Sequence, residues 1–213
     1  MNIKTNYLIK SSIAAGIFIG LSAYLSLLIN NQYISALVFS FGLLFISLLR
    51  MNLFTGKVGF ATNLNDTIIL LEMLIWNIMG IYFISIILQL TTNATIIFEK
   101  CVELSQLKLS KNIFVYFTES ILCGMLMFLA VMSFSVYKHY ICIVLPVFVF
   151  ITCGFEHSIA NSFYYIFSNN FLNSMPYLFI NVIGNAIGSL LLKYLLFNKD
   201  ERKKSNEISK YNS

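Results

Sequence analysis

The sequence predicts an all-α membrane protein, and three observations lead to that fold class. Of its 213 residues, 58% are hydrophobic and only 11% are charged. The apolar residues form long blocks, without the stripe of an amphipathic helix or the alternation of a strand. Blocks of about 20 apolar residues are long enough to cross the hydrocarbon core of a bilayer as helices. This composition therefore disfavours a soluble globular fold.

Six blocks reach the length of a membrane crossing, so we expect one membrane domain with six spans. The blocks cover residues 9–29, 35–64, 67–90, 112–134, 139–167 and 175–197. We assign residues 1–198 to the transmembrane domain and residues 199–213 to a basic tail. The first block lacks the small-residue cleavage site of a signal peptide, so we interpret it as a retained helix.

The distribution of positive charge predicts the orientation of the spans. Most of the net charge of +5 lies at the start of the chain and in the tail 199–213. Lys138 falls in the short turn between the fourth and fifth blocks, which six crossings place on the same side as the two ends. Positively charged segments remain on the cytoplasmic side. We therefore expect a multi-pass protein of the plasma (inner) membrane with both termini in the cytoplasm. The connection 91–111 would lie on the opposite side. This pattern gives no reason to expect a nucleic-acid partner.

The cysteines show no spacing that is typical of metal ligands or redox pairs. No CxxC motif and no Cys/His pair occurs at ligand spacing, so we interpret the cysteines as packing residues and expect no metal and no cofactor. They are Cys101, Cys123, Cys142 and Cys153.

Two of the six blocks are too long to be plain helices. About 30 helical residues reach about 45 Å, whereas the hydrocarbon core is about 30 Å thick. Each long block contains a polar interruption, RMNLFTGK at 50–57 in the second and CGFEHSIAN at 153–161 in the fifth. Matching interruptions in two halves are typical of an inverted repeat with a binding site at the midplane. The sequence therefore predicts broken second and fifth helices whose polar residues face a cavity.

The residues at the two interruptions favour an anion. Gly154 predicts the break, and a helix that begins near His157 directs free amide groups into the cavity. His157 and Asn161 are one helical turn apart, so we expect them to share one wall. Thr55 and Gly56 form the matching break, with the hydroxyl group on the opposite side. An apolar constriction beside this break is predicted at Leu53 and Phe54.

The acidic residues within the blocks are expected to have structural roles. Glu156 lies at the start of the second half-helix, where a carboxylate caps amide groups and stabilises the loop. Glu72 and Glu119 lie inside the third and fourth blocks, and we expect each to have a structural partner.

An intramembrane enzyme that uses Glu156 and His157 is an alternative reading, but it requires a second converging catalytic set that the sequence does not show. Ser158 beside His157 suggests a Ser/His hydrolase. Adjacent residues on a helix do not face each other, and no separate orienting acid is evident. We therefore expect no catalytic residues and do not expect an enzyme.

Glycines recur at helical spacing in the first and last blocks. Small residues four positions apart let two helices approach closely, so this spacing predicts tight helix contacts. The residues are Gly16 and Gly20 in the first block, and Gly184 and Gly188 in the last.

Several motifs together resemble the formate/nitrite transporter family. GFEHSIANSF at 154–163 closely resembles the family signature, and NLFTG at 52–56 resembles its second-helix break. The similarity extends through AAGIFIGL, WNIMG, ESILCGMLMFLAVMSFS, VLPVFVF and INVIGNAIGSLL, which together cover essentially the whole membrane portion. The fourth and fifth blocks are most similar to the formate channel branch.

The resemblance implies an aquaporin-like bundle of six helices with two broken ones, and residues 1–198 as the channel domain. It also implies a homopentamer with one pore per subunit. The substrate would be formate or a related small monovalent anion such as nitrite, acetate, lactate or hydrosulfide, with protons as a second partner. A neutral acid avoids the desolvation cost that an anion pays in a dry ring, so we expect proton coupling at His157. No Asn-Pro-Ala pair is present, which disfavours a water or glycerol channel.

The resemblance also assigns roles to particular residues. His157 is similar to the central pore histidine, Thr55 to the threonine of the second-helix loop, and Asn161 to the signature asparagine. The vestibule lysine of the family aligns with His139, one position after Lys138, so either residue is a candidate for that place. The apolar constrictions correspond to Leu43, Phe54 and Phe150.

Gly124, Asn52 and the shifted vestibule lysine favour a second hypothesis, and Arg50 is a further departure from the family pattern. Gly124 stands where relatives carry an asparagine near the pore, and Asn52 stands where an acidic residue is usual. Arg50 occupies a position that is small in relatives, so it needs a partner such as Glu72 or a place in the vestibule. These changes leave open a degenerate family member with a structural or interaction role.

Overall fold

A computed structural model describes residues 3–197, with side chains from residue 5 onwards. Throughout this range the regular structure is helical. The α-helices are α1 (Ile3–Leu27), α2 (Gln32–Leu48), α3 (Phe54–Lys57), α4 (Leu64–Leu88), α5 (Ala94–Ser110), α6 (Ile113–Tyr137), α7 (Ile141–Thr152), α8 (Ser158–Phe167) and α9 (Phe171–Leu196). A 3-10 turn, Val58–Phe60, follows α3. The predicted tail 199–213 lies outside the described residues.

Four of the described helices are long and apolar enough to cross a membrane. They are α1, α4, α6 and α9, and α2 and α7 are shorter apolar helices. Each of the six predicted blocks therefore contains one apolar helix. The contacts pair α1 with α4 and α6 with α9, while α2 packs on α7.

The chain leaves the helical conformation at both predicted interruptions. α2 ends at Leu48 and α3 begins at Phe54, whereas α7 ends at Thr152 and α8 begins at Ser158. The segments after the two gaps differ in length, because α3 has 4 residues and α8 has 10. After its interruption, the second predicted block, 35–64, therefore contains a shorter helix than the fifth block does.

The two helices before the gaps end in the same left-handed turn. Arg50 has φ +54° and Gly154 has φ +69°. After each of them, a backbone N–H donates to a carbonyl five residues earlier, from Met51 to Ile46 and from Phe155 to Phe150. Glycine is the usual residue at this position, and a side chain there costs about 1 kcal/mol.

Arg50 therefore occupies a helix end in a backbone conformation that favours glycine. Among the described residues it makes no ion pair with Glu72, which leaves a place in the vestibule as the other expected alternative. Its backbone carbonyl lies 3.5 Å from the Tyr7 hydroxyl, which donates to it.

The connection 91–111 is largely the helix α5. One side of α5 is buried, including Ile97 and Cys101, and it packs against α8. Lys100 on the same helix donates from Nζ to the carbonyl of Leu27 at 2.7 Å and so caps the end of α1. The mixed polarity of this segment is that of a half-buried helix.

The cysteines divide into two groups. Cys101 and Cys123 are buried, as expected of packing residues, whereas Cys142 is half-buried and Cys153 is exposed. The packing role is therefore wrong for Cys153. In the described part of the chain, no group of three His, Cys, Asp or Glu side chains is placed to hold a metal ion.

The two main helix pairs approach backbone to backbone at glycines. A Cβ atom on Gly16 of α1 would lie 2.1 Å from the carbonyl oxygen of Asn77, and one on Gly188 of α9 would lie 1.9 Å from that of Ile121. No side chain fits at such distances. The close contacts predicted from the glycine spacing are confirmed.

Gly124 belongs to the same class of contact. A Cβ atom at this position would lie 2.2 Å from the carbonyl oxygen of Asn185 on the facing helix. Gly124 therefore has a packing role where α6 meets α9, which accounts for a glycine here without the loss of a pore function.

We predict that Gly124→Ala destabilises the protein by about 1 to 3 kcal/mol, since the added methyl group meets backbone atoms that cannot rotate away. Thermal unfolding of the purified protein in detergent measures the change. Gly56→Ala is the matched control, because its Cβ would meet only the Val131 side chain, at 3.2 Å. Equal losses in the two variants would contradict the packing role of Gly124.

Candidate functional site

The first helix break is held by one buried asparagine. Asn77 on α4 accepts a hydrogen bond at Oδ1 from the amide of Phe54, 2.9 Å away. Its Nδ2 donates to the carbonyl oxygens of Ser12 and Asn52, each at 2.8 Å. Asn77 thus satisfies backbone groups within the gap and at the start of α3, and such groups are costly when they are buried without partners.

The second break is held by the same set of bonds. Asn185 on α9 accepts from the amide of Ser158 at 2.9 Å and donates to the carbonyl oxygens of Ser120 and Glu156, each at 2.8 Å. Sequence reasoning missed the roles of Asn77 and Asn185. The available signal was an isolated amide inside each of the apolar blocks WNIMG and INVIGNAIGSLL.

A side-chain hydrogen bond joins the residues that follow the two breaks. Thr55 Oγ1 and His157 Nε2 lie 2.9 Å apart, although the residues are 102 positions apart in sequence. Each side chain is only 1% exposed. The structure therefore brings together the two residues that the sequence analysis placed on opposite sides of one cavity.

The other ring nitrogen of His157 fixes the tautomer. Nδ1 accepts a hydrogen bond from the amide of Ala160 at 3.1 Å, so His157 is the N-cap of α8. An accepting nitrogen carries no proton, so the proton of the neutral ring is on Nε2. Nε2–H then donates to Thr55 Oγ1, and the threonine hydroxyl hydrogen is free to point towards a third group.

The histidine lies in a dry apolar environment. The ring of Phe150 stacks on the imidazole, with centroids 5.4 Å apart and planes at 14°. Phe39, which sequence reasoning missed, packs edge-on against Phe150 at 6.0 Å. The remaining predicted constriction residues are also buried: Leu43, Leu53 and Phe54.

A cavity of about 220 Å³ lies beside this site. Its walls include Leu43, Leu53 and Gly56, which connect it to the constriction, and also the cationic residues Arg50, Lys57 and Lys138. Lys138 lines the cavity, whereas His139 is not among the lining residues. Of the two candidates for the vestibule cation, Lys138 is thus the one that lines this cavity, and its role as a vestibule cation stays a prediction.

Glu156 stabilises the loop in a different way from the expected amide cap. Its fully buried carboxylate accepts from Lys108 Nζ and Lys111 Nζ, each at 2.6 Å. The amide cap of α8 comes from His157 instead. The predicted capping role of Glu156 is therefore wrong, and two lysines that sequence reasoning did not single out hold the loop.

Asn161 belongs to the same polar cluster. Its Nδ2 donates to Glu156 Oε2 at 2.6 Å and lies 3.1 Å from the hydroxyl oxygen of Tyr116. The amide nitrogen of Asn161 thus supports the carboxylate beneath the break. A direct role of Asn161 in the pore wall stays a prediction.

Lys111 also contacts Glu119 at 2.5 Å, which is the structural partner expected for that acid. Burial lowers the pKa of Lys111, but the hydrogen bonds to Glu119 and Glu156 raise it more, so the net pKa lies above the ordinary value of 10.5. Lys111 therefore stays charged at neutral pH and keeps the buried carboxylate neutralised.

Comparison with known proteins identifies the family. The model of the formate/nitrite transporter family matches residues 1–198. The chain belongs to this family. Members and similar structures are channels or transporters, and the described helices fit a multi-pass membrane protein. A search of the curated proteins found no significant match.

Solved structures of formate/nitrite transporter proteins share the fold. A "Pentameric formate channel with formate bound" superposes with a TM-score of 0.78 at 20% identity, over 89% of this chain and 95% of that chain. An "FNT family ion channel" superposes with a TM-score of 0.70 at 19% identity, over 90% and 86% of the two chains. The all-α fold predicted from the sequence is thus confirmed at the level of the family.

The site geometry of this transporter-family chain gives no support to a hydrolase. The Glu156 carboxylate is bound by lysines, and both ring nitrogens of His157 have protein partners. Ser158 Oγ is buried and makes no hydrogen bond in the described residues. A nucleophile would need the adjacent base that is missing here.

We predict that Glu156→Gln destabilises the protein by about 1 to 3 kcal/mol, because two lysines lose the carboxylate that neutralises them. Glu119→Gln is the matched control. Its carboxylate is 22% exposed and binds one lysine, so about 0 to 1 kcal/mol is expected. Melting temperatures in detergent compare the two, and a loss in Glu119→Gln that matches that in Glu156→Gln would refute the specific role of Glu156.

Proposed function

We propose that this protein is a channel or transporter that moves formate, or a similar small monovalent anion, across the inner membrane. In this proposal α2 with α3, and α7 with α8, form the two broken spans of an aquaporin-like inverted repeat. The chain acts as a homopentamer with both termini in the cytoplasm. Membership of the formate/nitrite transporter family and similarity to a pentameric formate channel support these assignments.

The observation that carries the proposal is the hydrogen bond between Thr55 and His157. It places one hydroxyl and one imidazole where the two breaks meet, beside the buried Phe54 and against the ring of Phe150. An anion in such a place has few other polar partners. The Thr55 hydroxyl, polarised by Nε2–H of His157, is the donor that meets it.

Proton coupling follows from the cost of moving a charge through this dry ring. A carboxylate is expensive to desolvate, whereas its neutral acid crosses more easily. Nδ1 of His157 is engaged as the cap of α8, so a second ring proton would break that cap. The geometry therefore favours a histidine that polarises Thr55 and its anion, while the proton arrives with water from the vestibule.

Flux of formate into proteoliposomes under a pH gradient tests the proposal. His157→Asn keeps a good N-cap residue but is too short to reach Thr55, so we expect formate flux to fall about tenfold or more, as for a lost buried hydrogen bond. Thr55→Val should have a similar effect, whereas Thr55→Ser retains the hydroxyl and most of the flux.

Thr118→Val is the matched control, because this exposed threonine bonds only to the carbonyl of Phe114 in its own helix. Wild-type flux equal to that of empty liposomes for formate, nitrite, lactate and hydrosulfide alike would overturn the transport proposal. Comparing these four solutes also ranks the substrates.

A degenerate family member with a structural or interaction role is the second candidate. Asn52 still favours it, since this residue departs from the family pattern at the first break. Gly124 no longer does, because it is a packing residue. This candidate predicts an intact oligomer that carries no flux. Substitution of His157 or Thr55 should then leave the oligomer unchanged.

A further inference from the structure

The cavity beside the first break combines hydrocarbon walls with positive charge. Most of the residues that line its volume of about 220 Å³ are apolar, among them Met51 and Phe134. Three lining residues are cationic, Arg50, Lys57 and Lys138, and none of the described lining residues is acidic. The cavity is thus suited to a ligand that has both an anionic and an apolar part.

The cations of the cavity have no counter-charge in the described part of the chain. Lys57 Nζ donates to the side-chain oxygen of Asn52 at 2.6 Å, but an amide does not neutralise an ammonium group. Among described residues, neither Arg50 nor Lys138 contacts a carboxylate. This differs from the second break, where the lysines are paired with Glu156.

Two of the cations also occupy unfavourable backbone positions. Arg50 follows α2 with φ +54°, and Lys138 follows α6 with φ +56°. Glycine or asparagine would adopt this left-handed conformation at lower cost. A cation occupies both of these strained helix ends, and both cations line the same cavity, which favours a role for their charge there.

The size of the cavity exceeds what a one-carbon anion needs. A water molecule occupies about 30 Å³ in the liquid, so this space holds a group several times larger. Burying methylene groups against its apolar walls is favourable. A carboxylate with a hydrocarbon tail therefore fills the cavity better than formate does.

We propose that this cavity binds amphipathic monocarboxylates with an aliphatic chain of several carbons. The carboxylate binds Lys57, Arg50 and Lys138, and the chain packs on the apolar walls in front of Leu43 and Leu53. Such a ligand occupies the approach to the constriction without passing through it. The inference goes beyond the proposed function, because it concerns acids larger than the transported anion.

Calorimetric titration of the purified protein in lipid nanodiscs tests the proposal, with hexanoate as the probe. Hexanol presents the same chain without the charge, and inorganic phosphate presents charge without a chain. We expect hexanoate to bind at least tenfold more tightly than either compound. Hexanol or phosphate binding as tightly as hexanoate would overturn the amphipathic site.

Substitutions of single lysines distinguish binding at this cavity from general electrostatic attraction to a basic protein. Lys57→Met should weaken hexanoate binding about tenfold or more, while Lys57→Arg should stay within about threefold of the wild type. Lys100→Met is the control, because Lys100 of α5 carries the same charge but contacts the far end of α1, away from Arg50. This variant should leave hexanoate binding unchanged. Equal weakening in Lys57→Met and Lys100→Met would refute the proposal.

Arg50→Gly distinguishes ligand binding from folding. Removing the left-handed side chain should raise the melting temperature, yet hexanoate binding should fall several-fold because a cation is lost. Unchanged hexanoate affinity in Arg50→Gly would exclude this residue from the site. Because binding is measured without transport, hexanoate binding in a protein that does not move formate would uphold this inference while the proposed function fails.

Discussion

The structure depends on satisfying backbone groups where two helices stop inside an apolar protein. An interrupted helix exposes amide and carbonyl groups that water cannot reach at membrane depth. Asn77 and Asn185 solve this problem identically, each with one accepted and two donated hydrogen bonds. Without these amides, neither Thr55 nor His157 would be held in its present position.

The two breaks share their scaffold but differ in their charges. At the second break, Lys108 and Lys111 reach from outside the apolar blocks to bind the buried carboxylate of Glu156. At the first break, the corresponding loop residue is the neutral Asn52, which binds Lys57. One half of the molecule thus keeps its charges paired and structural, and the other leaves its cations beside a cavity.

The sequence was informative where a local rule applied. Long apolar blocks indicated the crossings, and the polar interruptions fell where α2 and α7 end, because helices stop where glycine and polar residues collect. The two matching interruptions predicted that Thr55 and His157 face one cavity, but they did not predict the direct hydrogen bond between the two side chains. Sequence spacing alone does not bring together two residues 102 positions apart.

Other features could not be predicted, because they depend on partners from distant segments. An isolated Asn77 in an apolar block gives no sign of which backbone groups it will meet. Gly124 resembled a lost functional residue, since a glycine required by a helix contact and one left by substitution look alike in a single sequence. The sequence did not predict the helix α5, because its polar and apolar residues are mixed.

The cap formed by His157 has a consequence for coordination chemistry. A histidine binds Zn²⁺ or Cu²⁺ through the lone pair of an unprotonated ring nitrogen. Here the Nδ1 lone pair accepts a hydrogen bond from the Ala160 amide. Nε2 carries a proton and donates a hydrogen bond to Thr55 Oγ1. The imidazole therefore has no free lone pair to offer a transition metal, and such ions could bind it only by unwinding the first turn of α8.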